Sequence, residues 1–182
     1  MNQQSDYFLW LTPAEPVLQQ LQELINALAR DHGGPSFAPH ITLLSRLQGS
    51  EADLQSRIAR LSTDFSPFTV HCPTLGWSDE YYRCVYLEIE TDASLLSIHD
   101  RASVLIPHAV NTDFQPHISL MYGNLNEDTK PGIVTALEDI YPRSLLVDRM
   151  SLYHAPGGPQ TWRLVKVFHF VGEPDRAGLP SH

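Results

Sequence analysis

Along this chain, apolar residues alternate with polar ones in some stretches and recur every three or four positions in others. The switch between these two periods divides the chain into strands and helices. Tyr7 to Leu11 reads as a short aromatic strand ended by Thr12-Pro13. From about Ala14 to Arg30, residues Val17, Leu18, Leu21, Leu24, Ile25 and Leu28 form one apolar stripe, which predicts a helix stopped by Gly33-Gly34-Pro35. Ser50, with Asp53 three residues on, starts a second helix reaching about Leu61. Thr91-Asp92 caps a third helix to about Ile106, and Glu127 to Ile140 reads as a fourth, with Pro131 tolerable only near its first turn. Phe68 to Trp77 and Tyr81 to Glu90 alternate on either side of Ser78-Asp79-Glu80 and predict a hairpin. Ser144 to Tyr153 and Thr161 to Val171 predict another, across Pro156-Gly157-Gly158-Pro159. From Gly172 to His182 no period survives, so a mobile tail is expected there.

Two of the alternating stretches are copies of one pattern. Phe37-Ala38-Pro39-His40-Ile41-Thr42-Leu43-Leu44 returns as Phe114-Gln115-Pro116-His117-Ile118-Ser119-Leu120-Met121. The histidines stand 77 positions apart (117 − 40). As strands, these put His40 with Thr42, and His117 with Ser119, on one face, about 6.5–7 Å apart within each pair. Ile41 with Leu43, and Ile118 with Leu120, occupy the face that can be buried. Around both copies the same elements recur: strand or hairpin, helix, His strand, helix, closing strands. Such a repeat predicts an α+β fold of two lobes in a pseudo-twofold arrangement, each an antiparallel sheet with flanking helices, around a central cleft. Residues 1–171 would form one bilobal domain and 172–182 the tail. The two His strands are expected to face each other across the groove.

Composition narrows the partners. At 182 residues, 42% hydrophobic and 18% charged, the chain has the makeup of an ordinary folded protein. A net charge of −9 argues against a long nucleic acid, but leaves room for a small anion held by hydroxyls, backbone N–H groups and imidazoles. Cys72 and Cys84 fit no metal-ligand spacing and no disulfide framework. His71 beside Cys72 makes a poor metal pair, since adjacent strand residues point to opposite faces. The stretch Met1-Asn2-Gln3-Gln4-Ser5-Asp6 lacks a basic segment and an apolar one, and no apolar run approaches spanning length. A cytoplasmic monomer with no membrane partner, no cofactor and no metal is therefore expected.

At Pro39-His40-Ile41-Thr42 and Pro116-His117-Ile118-Ser119 the chain resembles the 2H phosphoesterase superfamily, defined by two His-x-(Thr/Ser)-x motifs. Within it, the chain looks most like the cyclic phosphodiesterases of the plant and yeast type. Trp10 followed by Thr12-Pro13, the Tyr82-Arg83-Cys84-Val85-Tyr86-Leu87 stretch, and His117 to Gly123 carry that narrower likeness, which runs from about Tyr7 to Val171. The resemblance implies a bilobal 2H phosphoesterase-like fold. It also implies metal-independent hydrolysis of a small 2′,3′-cyclic nucleotide, or of ADP-ribose 1″,2″-cyclic phosphate, to the 2′-phosphate-type monoester. It assigns Tyr122 and Tyr82 to the nucleoside and Trp10 to the lining of the cleft. Arg83 stands where a neutral polar residue is more usual, which leaves its role open: it reads as a solvated strand residue, with contact to phosphate as the alternative.

The residue types suit that reaction. Opening a cyclic phosphate with water requires one proton removed from the nucleophile and one delivered to the leaving oxygen, and histidine can do either near neutral pH. His40 and His117 are the candidate catalytic pair, with base and acid left open. Thr42 and Ser119 are the candidate phosphate-binding donors for the non-bridging oxygens. The other histidines, His32, His71, His99, His108, His154, His169 and His182, lack a paired context and read as surface or structural residues. Three alternatives remain: an RNA-end 2′,3′-cyclic phosphodiesterase or 2′–5′ RNA ligase-like enzyme, a non-catalytic nucleotide-binding module, and a histidine-bound iron or zinc enzyme such as a two-His-one-carboxylate oxygenase. The last lacks the expected His-x-Asp spacing.

Overall fold

His117 opens a strand and His40 stands immediately before one, and each of the two strands lies at an edge of one half of an antiparallel sheet. A computed structural model describes residues 6–108 and 114–172; of the tail expected from Gly172 to His182, all but Gly172 lies outside the described residues. In chain order the elements are β1 (Tyr7–Pro13), α1 (Val17–His32), β2 (Ile41–Leu47), α2 (Glu51–Ser62), β3 (Phe68–His71) and β4 (Leu75–Trp77). After these come β5 (Val85–Glu88), α3 (Ala93–Leu105), β6 (His117–Met121), α4 (Thr129–Leu137), β7 (Ser144–His154) and β8 (Arg163–His169). The strands run in the order β3-β7-β1-β2-β6-β5-β4, with β8 also paired to β7.

The seam of this sheet is narrow. β1 and β7 are matched residue for residue from Tyr7 with His154 to Thr12 with Arg149, and after a shift in register Pro13 meets Val147. β2 and β6 meet only through Ile41 and Ile118. The sheet therefore divides into two lobes, β3-β7-β1-β2 with β8, and β6-β5-β4, hinged on one pair of fully buried isoleucines. The two His strands are antiparallel neighbours, joined side by side, and do not face one another from separate sheets. Because they run in opposite directions past that pair, each histidine lies on the side of the other motif's hydroxyl residue.

Local rules account for the helices. The Ser50 hydroxyl accepts the Asp53 N–H at 3.2 Å and opens α2, and the Asp92 carboxylate accepts the Leu95 N–H at 2.8 Å and opens α3. Pro131 is the third residue of α4, where its missing N–H breaks no intrahelical bond. Leu21 and Ile25 of α1, Leu54 and Ile58 of α2, and Leu95 and Ile98 of α3 join Ile41, Leu43, Ile118 and Leu120 in one hydrophobic cluster. The helices thus cover one face of the His strands and leave the other to the cleft.

Two elements differ from the sequence reading. Phe68 to Trp77 is not one strand: it breaks at Cys72-Pro73-Thr74, β3 pairing with β7 and β4 with β5. Pro73 has no N–H for a ladder, and there the chain crosses from one lobe to the other. Likewise, the strand expected from Tyr81 begins only at Val85, because Tyr81–Arg83 forms a 3-10 turn. Cys72 and Cys84 are free and buried. Among the described residues, no helix is long and apolar enough to cross a membrane.

If Ile41 and Ile118 form the seam, Ile41→Ala and Ile118→Ala should each cost about 2–5 kcal/mol in urea unfolding. The double variant should cost less than their sum, because paired residues couple. Strict additivity would show that the lobes are joined elsewhere.

Candidate active site

Each histidine is fastened by its own backbone. His40 Nδ1 lies 2.7 Å from the Ala38 carbonyl oxygen, and His117 Nδ1 lies 2.9 Å from that of Gln115. A carbonyl can only accept, so Nδ1 carries the hydrogen in both rings, and the neutral form keeps a bare Nε2. Pro39 and Pro116 stand between carbonyl and ring in both copies, and the fixed φ of proline holds that two-residue turn in shape.

His40, Thr42, His117 and Ser119 line one cavity of about 710 Å³, together with Trp10, Tyr82 and Tyr122. All seven residues singled out in the sequence therefore border the same cleft. His40 is 9% exposed and stacked on Trp10, with ring centroids 3.6 Å apart and planes 12° from parallel. Trp10 stacks in turn on Tyr153 at 4.0 Å. Burial pushes the His40 pKa down to about 4; the Ala38 carbonyl opposes this and the neighbouring His117 charge adds to it. His117 is more open and stands edge-on to Tyr86 at 5.7 Å. Its pKa is also lowered, chiefly by burial; the Gln115 carbonyl opposes the shift, Arg83 adds to it and Glu80 opposes it.

The hydroxyls and aromatics refine the sequence reading. The buried Ser119 hydroxyl donates to the Tyr82 carbonyl at 2.7 Å, so it must turn away from that carbonyl to donate to a ligand. Tyr122 is buried and stacked on Phe37 at 3.7 Å, so it belongs to the core as well as to the cleft wall. Trp10, 3% exposed, has the same double position. Tyr82 is half exposed and stands edge-on to Tyr122 at 5.2 Å.

Several cleft residues escaped the sequence reading. Arg83 is not a solvated strand residue: it sits in the 3-10 turn and lines the cavity. His99 and His108 also line it, His99 stacked on Phe114 at 4.0 Å and His108 bonded through Nδ1 to the Ile106 carbonyl at 2.9 Å. Trp162 stands edge-on to His40 at 6.0 Å and to Tyr122 at 6.1 Å, so it touches the cleft from one lobe while facing the other. Behind the cleft, Gly76 makes room for Tyr86, since a Cβ there would lie 2.5 Å from the ring against which His117 and Arg83 rest. His32, His71 and His169 are exposed as expected, and His182 lies outside the described residues.

Solved structures with this architecture are similar over nearly the whole chain. Escherichia coli LigT complexed with 3′-AMP matches with a TM-score of 0.61 and 19% identity, covering 92% of this chain and 99% of LigT. TT0787 of Thermus thermophilus matches with a TM-score of 0.62 and 18% identity, covering 92% and 98%. The fold is that of a 2H phosphoesterase. Two named relatives are a cyclic phosphodiesterase of Arabidopsis thaliana and a 2′,3′-cyclic-nucleotide 3′-phosphodiesterase of Yarrowia lipolytica. The first is 22% identical over 80% of this chain and 78% of its own length; the second is 26% identical over 73% and 82%. Within the superfamily, the chain belongs to the cyclic phosphodiesterase-like protein family, whose model matches residues 6–171. It is a phosphodiesterase, and its reaction is hydrolysis of a cyclic phosphodiester.

The buried His40 has a stability consequence. An unfolded histidine takes its proton near pH 6.5, and folded His40 only near pH 4, so unfolding takes up a proton between those values. Stability should therefore be fullest above pH 6.5 and fall as pH drops through this window, with a His40 share on the order of 3 kcal/mol. In urea melts at pH 7 and pH 4.5, His40→Gln should lose correspondingly less stability than the wild type. Equal losses would place His40 in an environment no drier than that of an ordinary surface histidine.

Proposed function

We propose that the substrate is a small nucleotide-type cyclic phosphate, a 2′,3′-cyclic nucleotide or ADP-ribose 1″,2″-cyclic phosphate, opened to the 2′-phosphate-type monoester. The observation that carries this reading is the pair of carbonyl-locked imidazoles, each with Nε2 unused and both bordering one cleft. Two such rings can serve as base and acid in a single displacement, with no metal needed for either proton transfer. His40, kept neutral by burial, takes the proton of the attacking water as the new P–O bond forms. His117, more open though its pKa is lowered, chiefly by burial, takes up a proton at Nε2 as the bound phosphate raises its proton affinity, and delivers it to the 3′ oxygen as the P–O3′ bond breaks. The incoming phosphate charge raises the proton affinity of both rings.

Thr42 and Ser119 donate to the non-bridging oxygens as charge builds there, Ser119 after releasing the Tyr82 carbonyl. Trp10 holds the His40 plane. Tyr82, edge-on to Tyr122 and half exposed, offers a face to the nucleoside. The Yarrowia relative's name, a 3′-phosphodiesterase for 2′,3′-cyclic nucleotides, supports cleavage of the 3′ bond. The net charge of −9 supports a small substrate over a long RNA.

With a 2′,3′-cyclic nucleotide and excess chelator, His40→Ala and His117→Ala should each lower kcat by at least about two orders of magnitude. Thr42→Ala and Ser119→Ala should cost less but clearly, and wild-type activity should follow a bell-shaped pH profile. The product should be the 2′ monoester by chromatography. A folded histidine variant with near-wild-type turnover, or wild-type activity abolished by chelator, would overturn the reading.

A further inference from the structure

Among the described residues that line the cavity, Arg83 is the only permanent cation and Glu80 the only carboxylate. Arg83 is held on three sides. Nη2 meets Glu80 Oε1 at 2.9 Å, Nη1 meets Gln115 Oε1 at 3.0 Å, and the guanidinium carbon lies 5.2 Å from the centroid of the Tyr86 ring. Two of these supports are shared with His117, which stands edge-on to Tyr86 and donates to the Gln115 backbone carbonyl. Arg83 therefore sits beside one of the two proton carriers, on common scaffolding.

Its hold on Glu80 is the weak side. The Arg83 side chain is 21% exposed and that of Glu80 is 68% exposed, so the carboxylate can return to water at little cost. The buried Nε–H has no partner among the described residues, so the guanidinium is not saturated by its neighbours. A planar guanidinium fits the oxygens of a phosphate as well as those of a carboxylate, so a phosphate can take the place of one held this loosely. The geometry points to Arg83 as an anion-binding residue of the cleft, with the Glu80 carboxylate standing where a phosphate oxygen of substrate or product binds.

This rests on the phosphodiester reading of the cleft and adds a consequence to it. A cyclic diester carries one negative charge, whereas the species formed as water adds, and the monoester product near neutral pH, carry more. Arg83 therefore favours the reacting and product states over the substrate. Glu80 competes for the same guanidinium and helps the product leave.

Calorimetry of inorganic phosphate binding at fixed ionic strength separates these roles. Arg83→Gln should weaken phosphate at least about tenfold, the loss of a charged hydrogen-bond donor, and Arg83→Lys should keep part of the affinity. Glu80→Gln should tighten phosphate by about three- to tenfold in the wild-type background, and by less than about twofold beside Arg83→Gln. A folded Arg83→Gln variant that binds phosphate as the wild type does would overturn the proposal. So would a Glu80→Gln gain of equal size with and without Arg83, which would be plain charge repulsion. Should Arg83→Gln not fold, the Glu80→Gln gain is measured against Arg83→Lys, where it should shrink; an undiminished gain there overturns the proposal. A wild-type protein that binds no phosphate at all would sink the phosphodiester reading too, whereas failure of the Arg83 effects alone leaves that reading standing.

Discussion

The hydrogen bond from each imidazole Nδ1–H to a backbone carbonyl two residues back is the constraint on which the site depends. It selects the tautomer, fixes the ring and leaves Nε2 for chemistry, and it occurs in both motifs with nearly the same length, 2.7 and 2.9 Å. Because the acceptor is main chain, the ring is only as well placed as its strand. That is why the narrow Ile41–Ile118 seam matters: a buried pair, each member next in sequence to one of the two histidines but turned to the core, decides how the two lobes present their rings to a single ligand. The Trp10 stack on one side and the Tyr86 edge on the other complete the positioning.

The two halves are alike in plan but not in environment. His40 lies in an aromatic wall of Trp10, Tyr153 and Trp162, dry enough to hold it neutral well below its ordinary range. His117 lies among polar and charged neighbours, Gln115, Arg83 and Glu80. A duplicated motif thus places its two rings in different surroundings, one dry and aromatic and one polar and charged, and burial lowers the proton affinity of both. In a chain of net charge −9, the described residues that line this cleft still include one permanent cation, Arg83.

Much of this was legible in the sequence, because the informative features are local. The His-x-(Thr/Ser) repeat encodes residue type and strand face together, and Ser50 and Asp92 mark helix starts through hydrogen bonds that span three residues. What was not legible depends on partners distant in the chain. Alternation over Phe68 to Trp77 cannot say that its first part pairs with β7 and its second with β5, although Pro73 marks the break. Nor can periodicity show that Tyr81–Arg83 turns tightly and carries Arg83 into the cleft, or that Trp162 reaches His40 across more than a hundred residues. His99 and His108 look ordinary in sequence for the same reason; only the folded sheet brings them to the cavity.

The most direct test is ¹⁵N spectroscopy of the histidine side chains, free and with a non-hydrolysable 2′,3′-cyclic phosphate analogue. Both His40 and His117 should appear at neutral pH as Nδ1–H tautomers, and the analogue should shift the Nε2 resonances of both together. An Nε2–H tautomer in either ring, or a ligand response confined to one histidine, would contradict the account.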